Sequence, residues 1–267
     1  MRCKVIAEIG WNHMGDMKLA KEMIAAAHES GADYAKFQTW SVKNLKNGPW
    51  DTDGRLEIYN KAELTRDQHV ELNDYCNSIG INFLTSIFNI GDASWLPEIT
   101  SHAIKIPSHE VYNKELIKSV DGKFETIFIS TGAAQWEEIE ILPSLVTESN
   151  LSLFHCVSSY PCLDENVNLP RIKELQNINS SVGYSGHFFG IEDAFVAASF
   201  GLDFIEKHFT IDRDLPGRDN KFAILPQQMK QLTSFLSASD NMNIDHGREH
   251  QDSELDIIQN YRGRWSK

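Results

Sequence analysis

The chain predicts an α/β fold, a (β/α)8 TIM barrel, on three observations. Short apolar segments alternate with helix-like or polar stretches eight times along the sequence. The apolar segments lack polar alternation, as strands buried on both faces do. A length of 267 residues suits one such barrel.

The strand-like segments are Val5–Ile9, Tyr34–Gln38, Asn82–Phe88, Ala103–Ile106, Thr126–Ser130, Leu151–Val157, Ser181–Ser185 and Phe204–Phe209. Helical stripes separate them. Leu19, Met23, Ile24 and Ala27 form one stripe, closed by Gly31. Thr65 and Gln68 make a capping box ahead of Leu72, Tyr75, Cys76 and Ile79, with Gly80 as the stop signal. Trp136, Ile139, Leu142 and Leu145 recur at helical spacing, as do Ile191, Phe195, Ala198 and Ser199 ahead of Gly201. Pro226–Leu236 follows the eighth strand. Two stretches break the pattern. The polar excursion Trp40–Glu63 reads as a lid or substrate wall. The tail after Asp240 is polar and weakly patterned, so residues 1–240 are read as the barrel and 241–267 as a tail without a domain of its own.

Composition narrows the function. A net charge of −13 argues against nucleic acid and anionic membrane as main partners, while leaving room for a local lysine cluster. No apolar run is long enough to span a membrane, no signal peptide opens the chain, and Cys3, Cys76, Cys156 and Cys162 form no close pair. The expectation is a cytoplasmic protein with free thiols.

Phe204–Thr210 carries Glu206, Lys207 and His208 inside an otherwise buried run, an expensive placement unless those groups serve a site. In a barrel the catalytic groups sit where strands end. Those positions hold Glu8, Asn12 and His13; Lys36 and Gln38; Thr85 and Ser86; Lys105, Ser108 and Glu110; Ser130 and Thr131; His155, Ser158 and Tyr160; Ser185 and His187; and Glu206, Lys207 and His208, with Asp219 beyond. Several lysines with several hydroxyls suit a phosphate or carboxylate ligand. Glu8, Glu110 and Glu206 can serve as acids or bases, and His187 with His208 can hold a divalent metal. One lysine alone would read as a structural ion pair, and a lone serine as a turn cap. Trp11, Trp40 and Phe188 suit either packing or walling of the site.

Seven stretches carry a resemblance: Ala7–Asp16, Ala35–Thr39, Ile104–Ser108, Ile129–Gly132, His155–Pro161, Gly183–His187 and Glu206–Thr210. Together they resemble, in order and over nearly the whole chain, the sialic acid synthases. The resemblance implies a metal-dependent condensation of phosphoenolpyruvate with an N-acylated amino sugar aldehyde, giving a nine-carbon 2-keto-3-deoxy acid and phosphate. By position, it implies phosphoenolpyruvate binding by Lys36, Ser86, Lys105, Ser108, Ser130, Ser158 and Ser185. It implies sugar contacts for Gln38, Tyr160 and Asp219, and manganese or magnesium on His187 and His208. Glu8 and Glu110 match carboxylates near the reacting carbons; Glu206 joins the substrate-binding set and His208 the catalytic one. His109 stands where glycine is frequent, and Arg218 reads as an exposed ion pair or a contact for an anionic sugar substituent. The resemblance further implies a barrel without the C-terminal antifreeze-like domain of many relatives, completed by a homodimer, a separate capping protein or the Trp40–Glu63 loop. Two other readings stay open: a Schiff-base aldolase using Lys36, Lys105 or Lys207, and an idle barrel subunit that needs a partner.

Overall fold

The computed structural model describes residues 2–265. Eight parallel strands close into a barrel in sequential order: β1 (Lys4–Glu8), β2 (Tyr34–Thr39), β3 (Asn82–Ile87), β4 (Ala103–Ile106), β5 (Thr126–Ser130), β6 (Asn150–Cys156), β7 (Val182–Gly186) and β8 (Phe204–His208). Each lies within a residue or two of the segment its hydrophobicity predicts. The outer shell contains α1 (Met17–Glu29), α2 (Arg55–Ala62), α3 (Arg66–Ile79), α4 (Lys114–Val120), α5 (Trp136–Glu140), α6 (Leu142–Leu145), α7 (Arg171–Ile178), α8 (Glu192–Ala198) and α9 (Pro226–Met242).

Local chemistry explains the helix limits. Thr65 caps α3 through the Gln68 N–H while Gln68 returns the bond to the Thr65 N–H, and Gly80 ends the helix at φ +84°. The stripe that predicts one helix over Trp136–Leu145 is two, because Pro143 cannot donate the N–H that an unbroken helix needs. No α-helix links β3 to β4; Gly91 and Pro97 reduce that connection to two 3-10 turns, Ile90–Ser94 and Leu96–Glu98. The excursion after β2 holds more order than its polarity suggests, since it contains α2. Gly15, at φ +81°, lets the loop after β1 press on α2: a Cβ there would lie 2.1 Å from the Lys61 carbonyl oxygen.

The strand alternation sorts side chains into two environments. Outward residues such as Val5, Phe37, Ile104, Ile127 and Ile205 join the helices in one continuous apolar layer. Inward residues form two tiers. The lower tier is an apolar plug of Ile6, Tyr34, Leu84, Ala103, Phe128 and Phe154, with Phe204 packed against it. Gly183 leaves room for the Phe154 ring, 2.8 Å from where its Cβ would stand. Two residues further along the strands the same parity yields Glu8, Lys36, Ser86, Lys105, Ser130, Cys156, Ser185 and Glu206. The plug therefore becomes the floor of a polar chamber.

Lys207 belongs to the other parity. Its ammonium sits 2.9 and 2.8 Å from the two Asp193 oxygens and 3.0 Å from the Phe188 carbonyl oxygen, between β8 and α8. The Tyr184 hydroxyl donates to Asp193 at 2.8 Å. Removing one partner of a buried pair strands the other charge. Asp193→Ala is expected to cost about 3–5 kcal/mol in denaturant unfolding, and adding Lys207→Met should recover much of it. A cost for the single variant within experimental error would contradict the pairing.

A second prediction concerns Asp121. Partial burial pushes its carboxyl up, but the backbone N–H groups of Thr147, Ser149 and Glu148 and the Thr147 hydroxyl win and hold it below its usual range. A depressed folded value makes its contribution full above about pH 4 and lost as pH falls through that value. Asp121→Ala should lose roughly 1 kcal/mol at neutral pH, and its melting temperature should fall less than that of the native chain between neutrality and strong acid.

Candidate active site

The chamber opens at the C-terminal ends of the strands as a cavity of about 710 Å³. Its centre is a set of four buried charges. The Lys36 ammonium lies 2.5 Å from one Glu8 oxygen and 3.6 Å from Glu206. Lys105 lies 2.7 Å from the same Glu206 oxygen. Ser185 donates to that oxygen at 3.1 Å, and Gln38 donates to the other Glu8 oxygen at 2.6 Å. Lys36 also donates to the Ser86 hydroxyl at 3.1 Å.

Burial and charge compete here in both directions. Burial raises the Glu8 carboxyl against the pull of Lys36. For Lys36, burial is outweighed by Glu206 and Glu8, so the ammonium is held. Burial lowers Lys105 despite Glu206. Glu206 is kept ionised, because Lys105 and Lys36 overcome its burial.

Beside the charges lies a nest of hydroxyls. The Gly132 N–H donates to Ser108 Oγ at 3.1 Å, and a Cβ on Gly132 would collide with the hydroxyls of Ser158 and Ser108. The glycine thus lets both hydroxyls approach the backbone. Ser130 Oγ is buried without a hydrogen-bond partner among the described residues, although it faces the cavity. A buried hydroxyl left unpaired is costly and marks a place for a ligand's acceptor atoms.

On the β7–β8 side, the rings of His187 and His208 stand 5.3 Å apart, roofed by Tyr160 at 4.1 Å from His187. His187 Nδ1 bonds the Val157 carbonyl oxygen at 2.8 Å, which makes Nδ1 a donor. Burial lowers this ring, but Cys156, with Sγ 3.8 Å from Nδ1, and the Val157 bond outweigh it and push His187 up. Burial, then His187 and the lysines, push His208 well below its ordinary value, so it is neutral. Its Nδ1 has no hydrogen bond and lies 3.6 Å from Asp219. Burial pushes Asp219 up to about 6 against the nearby Trp11 indole. With His187 deprotonated, the two imidazoles facing one cavity would suit a divalent cation. Among the described residues no group of three or more His, Cys, Asp or Glu converges on a metal position.

Glu8, Lys36, Gln38, Ser86, Lys105, Ser108, Glu110, Ser130, Tyr160, Ser185, His187, Glu206, His208 and Asp219 all line the one cavity. Ser158 is exposed and stands at its edge beside Gly132. Other strand-end groups turn away. Thr85 bonds Thr39 at 2.8 Å, Thr131 the Phe154 carbonyl oxygen at 3.0 Å, and His155 the Val167 carbonyl oxygen at 2.8 Å. Asn12 donates to the Phe209 carbonyl oxygen at 2.9 Å, and His13 accepts from the Gly15 N–H at 3.0 Å. Lys207 is the structural ion pair described above. Sequence reasoning left Cys156 as one of four free thiols with no role, yet it lines the cavity; its inward parity with Phe154 was the available signal. Trp11, Trp40 and Tyr59 wall the mouth, as does Phe88.

The NeuB family matches residues 23–247. The N,N'-diacetyllegionaminic acid synthase of Legionella pneumophila is 33% identical over 276 residues, covering 96% of this chain and 78% of that protein. The synthase of the same name from Campylobacter jejuni is 35% identical over 245 residues, covering 85% of this chain and 73% of that protein. A crystal structure of the sialic acid synthetase of Leptospira borgpetersenii, solved with citrate, superposes with a TM-score of 0.87 at 29% identity, covering 100% of this chain and 94% of that one. The chain belongs to the NeuB family of sialic acid synthase-type enzymes.

Proposed function

We propose that this enzyme condenses phosphoenolpyruvate with the open-chain aldehyde of an N-acylated amino sugar, forming a nine-carbon 2-keto-3-deoxy acid and inorganic phosphate. The observation that carries the reading is the polar tier above the floor of the chamber: Lys36 and Lys105 among Ser86, Ser108, Ser130 and Ser185, with the Ser130 hydroxyl unpaired among the described residues. That set matches the phosphate and carboxylate of phosphoenolpyruvate. The synthase relatives support a sugar acid as product.

In the reaction the phosphoenolpyruvate methylene carbon forms a C–C bond to the aldehyde carbon. Water adds at the former enol carbon; one of its protons goes to the former aldehyde oxygen, which becomes a hydroxyl, and the other passes to the departing phosphate as the C–O bond to phosphate breaks and the keto group forms. The lysines and hydroxyls hold the two anionic groups of phosphoenolpyruvate and screen their repulsion. Glu8, with burial raising its carboxyl, and Glu110, at the wall and bonded by Asn113 at 3.1 Å, are the groups placed to move protons. Gln38, Tyr160 and Asp219 orient the sugar. His187 and His208 would hold manganese or magnesium, which when bound polarises the acceptor aldehyde.

A Schiff-base aldolase is the poorer fit. Lys36 is held as ammonium by Glu8 and Glu206, and Lys207 is turned away from the cavity. That reading rests on Lys105 alone.

The test is phosphate release from phosphoenolpyruvate with manganese and a panel of amino-sugar acceptors, with and without EDTA. Acceptor-dependent release that EDTA abolishes is expected, and Lys105→Met should reduce kcat/KM by about 100-fold or more. Covalent trapping of a keto acid by borohydride would move the assignment to the aldolase. Phosphoenolpyruvate binding without turnover on any acceptor would favour a barrel that works only with a partner.

A further inference from the structure

The loop after β1 carries a histidine that the condensation does not use. His13 is fully buried, and its Nδ1 accepts from the Gly15 N–H at 3.0 Å. The ring proton therefore sits on Nε2, which has no hydrogen bond among the described residues. Gly15 in turn is pressed on α2, so closely that a Cβ there would lie 2.1 Å from the Lys61 carbonyl oxygen. Lys61 stands in the last turn of α2, two residues after Tyr59. The same loop holds Trp11, whose ring centroid lies 5.1 Å from that of Tyr59. Trp11 and Tyr59 both line the cavity. The His13–Gly15 bond thus lies beneath the seam that joins two parts of the cavity wall.

A proton on Nδ1 would end that arrangement, because the ring would then present a donor to the Gly15 N–H. The surroundings offer an imidazolium little. His69 faces it from α3, a neutral ring whose Nδ1 donates to the Thr65 carbonyl oxygen at 2.8 Å and whose Nε2 accepts from the Thr39 hydroxyl at 2.7 Å. β2 presents the Phe37 ring, 5.7 Å away between centroids. The Gly10 carbonyl oxygen and Asp16 favour the charge, but the Asp16 carboxylate is already occupied by the Lys18 and Leu19 N–H groups of α1. Burial, then His69, prevail and push His13 down to about 4.

We propose that His13 is an acid-sensitive pin for the cavity wall. Neutral, it holds the loop after β1 against α2 and keeps Trp11 and Tyr59 together; protonated at Nδ1, it repels the Gly15 N–H and frees that loop and α2 from each other.

The closed loop disfavours the proton, whereas an opened loop takes it at the ordinary value of 6.5. Closure is therefore full above that value and weakens as pH falls toward 4. The opening constant should rise about 30-fold between pH 7.5 and pH 5. Hydrogen exchange on the full chain, corrected for the intrinsic effect of pH, reads this opening. Protection of the Gly15 amide and of the last turn of α2 is expected to fall by about that factor, while Ile127 in β5 changes far less. His13→Asn, whose side-chain oxygen can accept from Gly15 but takes no proton, should abolish the fall. A fall that persists in His13→Asn, one shared equally by Ile127, or a Gly15 amide unprotected at pH 7.5 would overturn the pin. A nitrogen-15 NMR titration of the native chain needs no variant: His13 should titrate near 4 with its proton on Nε2, and titration near the ordinary value would equally overturn it.

Discussion

Glu8, Lys36, Glu206 and Lys105 alternate in sign along a chain of contacts across the inside of the barrel, and much of the structure depends on their mutual attraction. Each is nearly fully buried, and any one alone would be prohibitive to desolvate. Together they balance to zero. They also bind the strand register to the chemistry. Glu8 pairs in register with Lys36 and with His208, and Ser185 with Glu206. A slip of one residue in any of these strands would turn a charge into the apolar layer under the helices. The barrel is held in register by the same groups that make its site.

The plug beneath the charges completes the device. Phe128, Phe154 and Phe204 pack within 4.8–5.9 Å of one another, and the Lys105 ammonium rests 4.8 Å above the Phe154 ring. Water is excluded from below, so interactions among the charges and with an arriving anion are stronger than they would be in solvent. An anionic ligand would enter this set as a replacement partner for the lysines.

The outward side of the same strands shows how easily structure imitates function in a sequence. Glu206, Lys207 and His208 are consecutive, yet the middle residue serves another purpose. Lys207 ties Asp193 and the Phe188 carbonyl oxygen, and so anchors α8 and the loop after His187 to the back of β8. It thereby supports the histidines from behind without touching the cavity. His155 and Thr85 are likewise buried polar groups satisfied by nearby partners. Each is polar, near a strand end, and of the wrong parity.

By itself the sequence determined the barrel, because eight apolar segments and their caps are local properties: Thr65 with Gln68, Gly80 and Pro226 act within a few residues of themselves. It also determined most of the cavity lining, because strand-end position and the period of two are readable along a chain. Tertiary structure decided what depends on distance between strands. It paired Lys36 with Glu8 and Lys105 with Glu206, brought Cys156 into the chamber, and left Ser158 at its edge. It also folded the polar excursion so that Trp40 and Tyr59 meet Trp11. Such contacts join residues remote in sequence, and no local pattern encodes them.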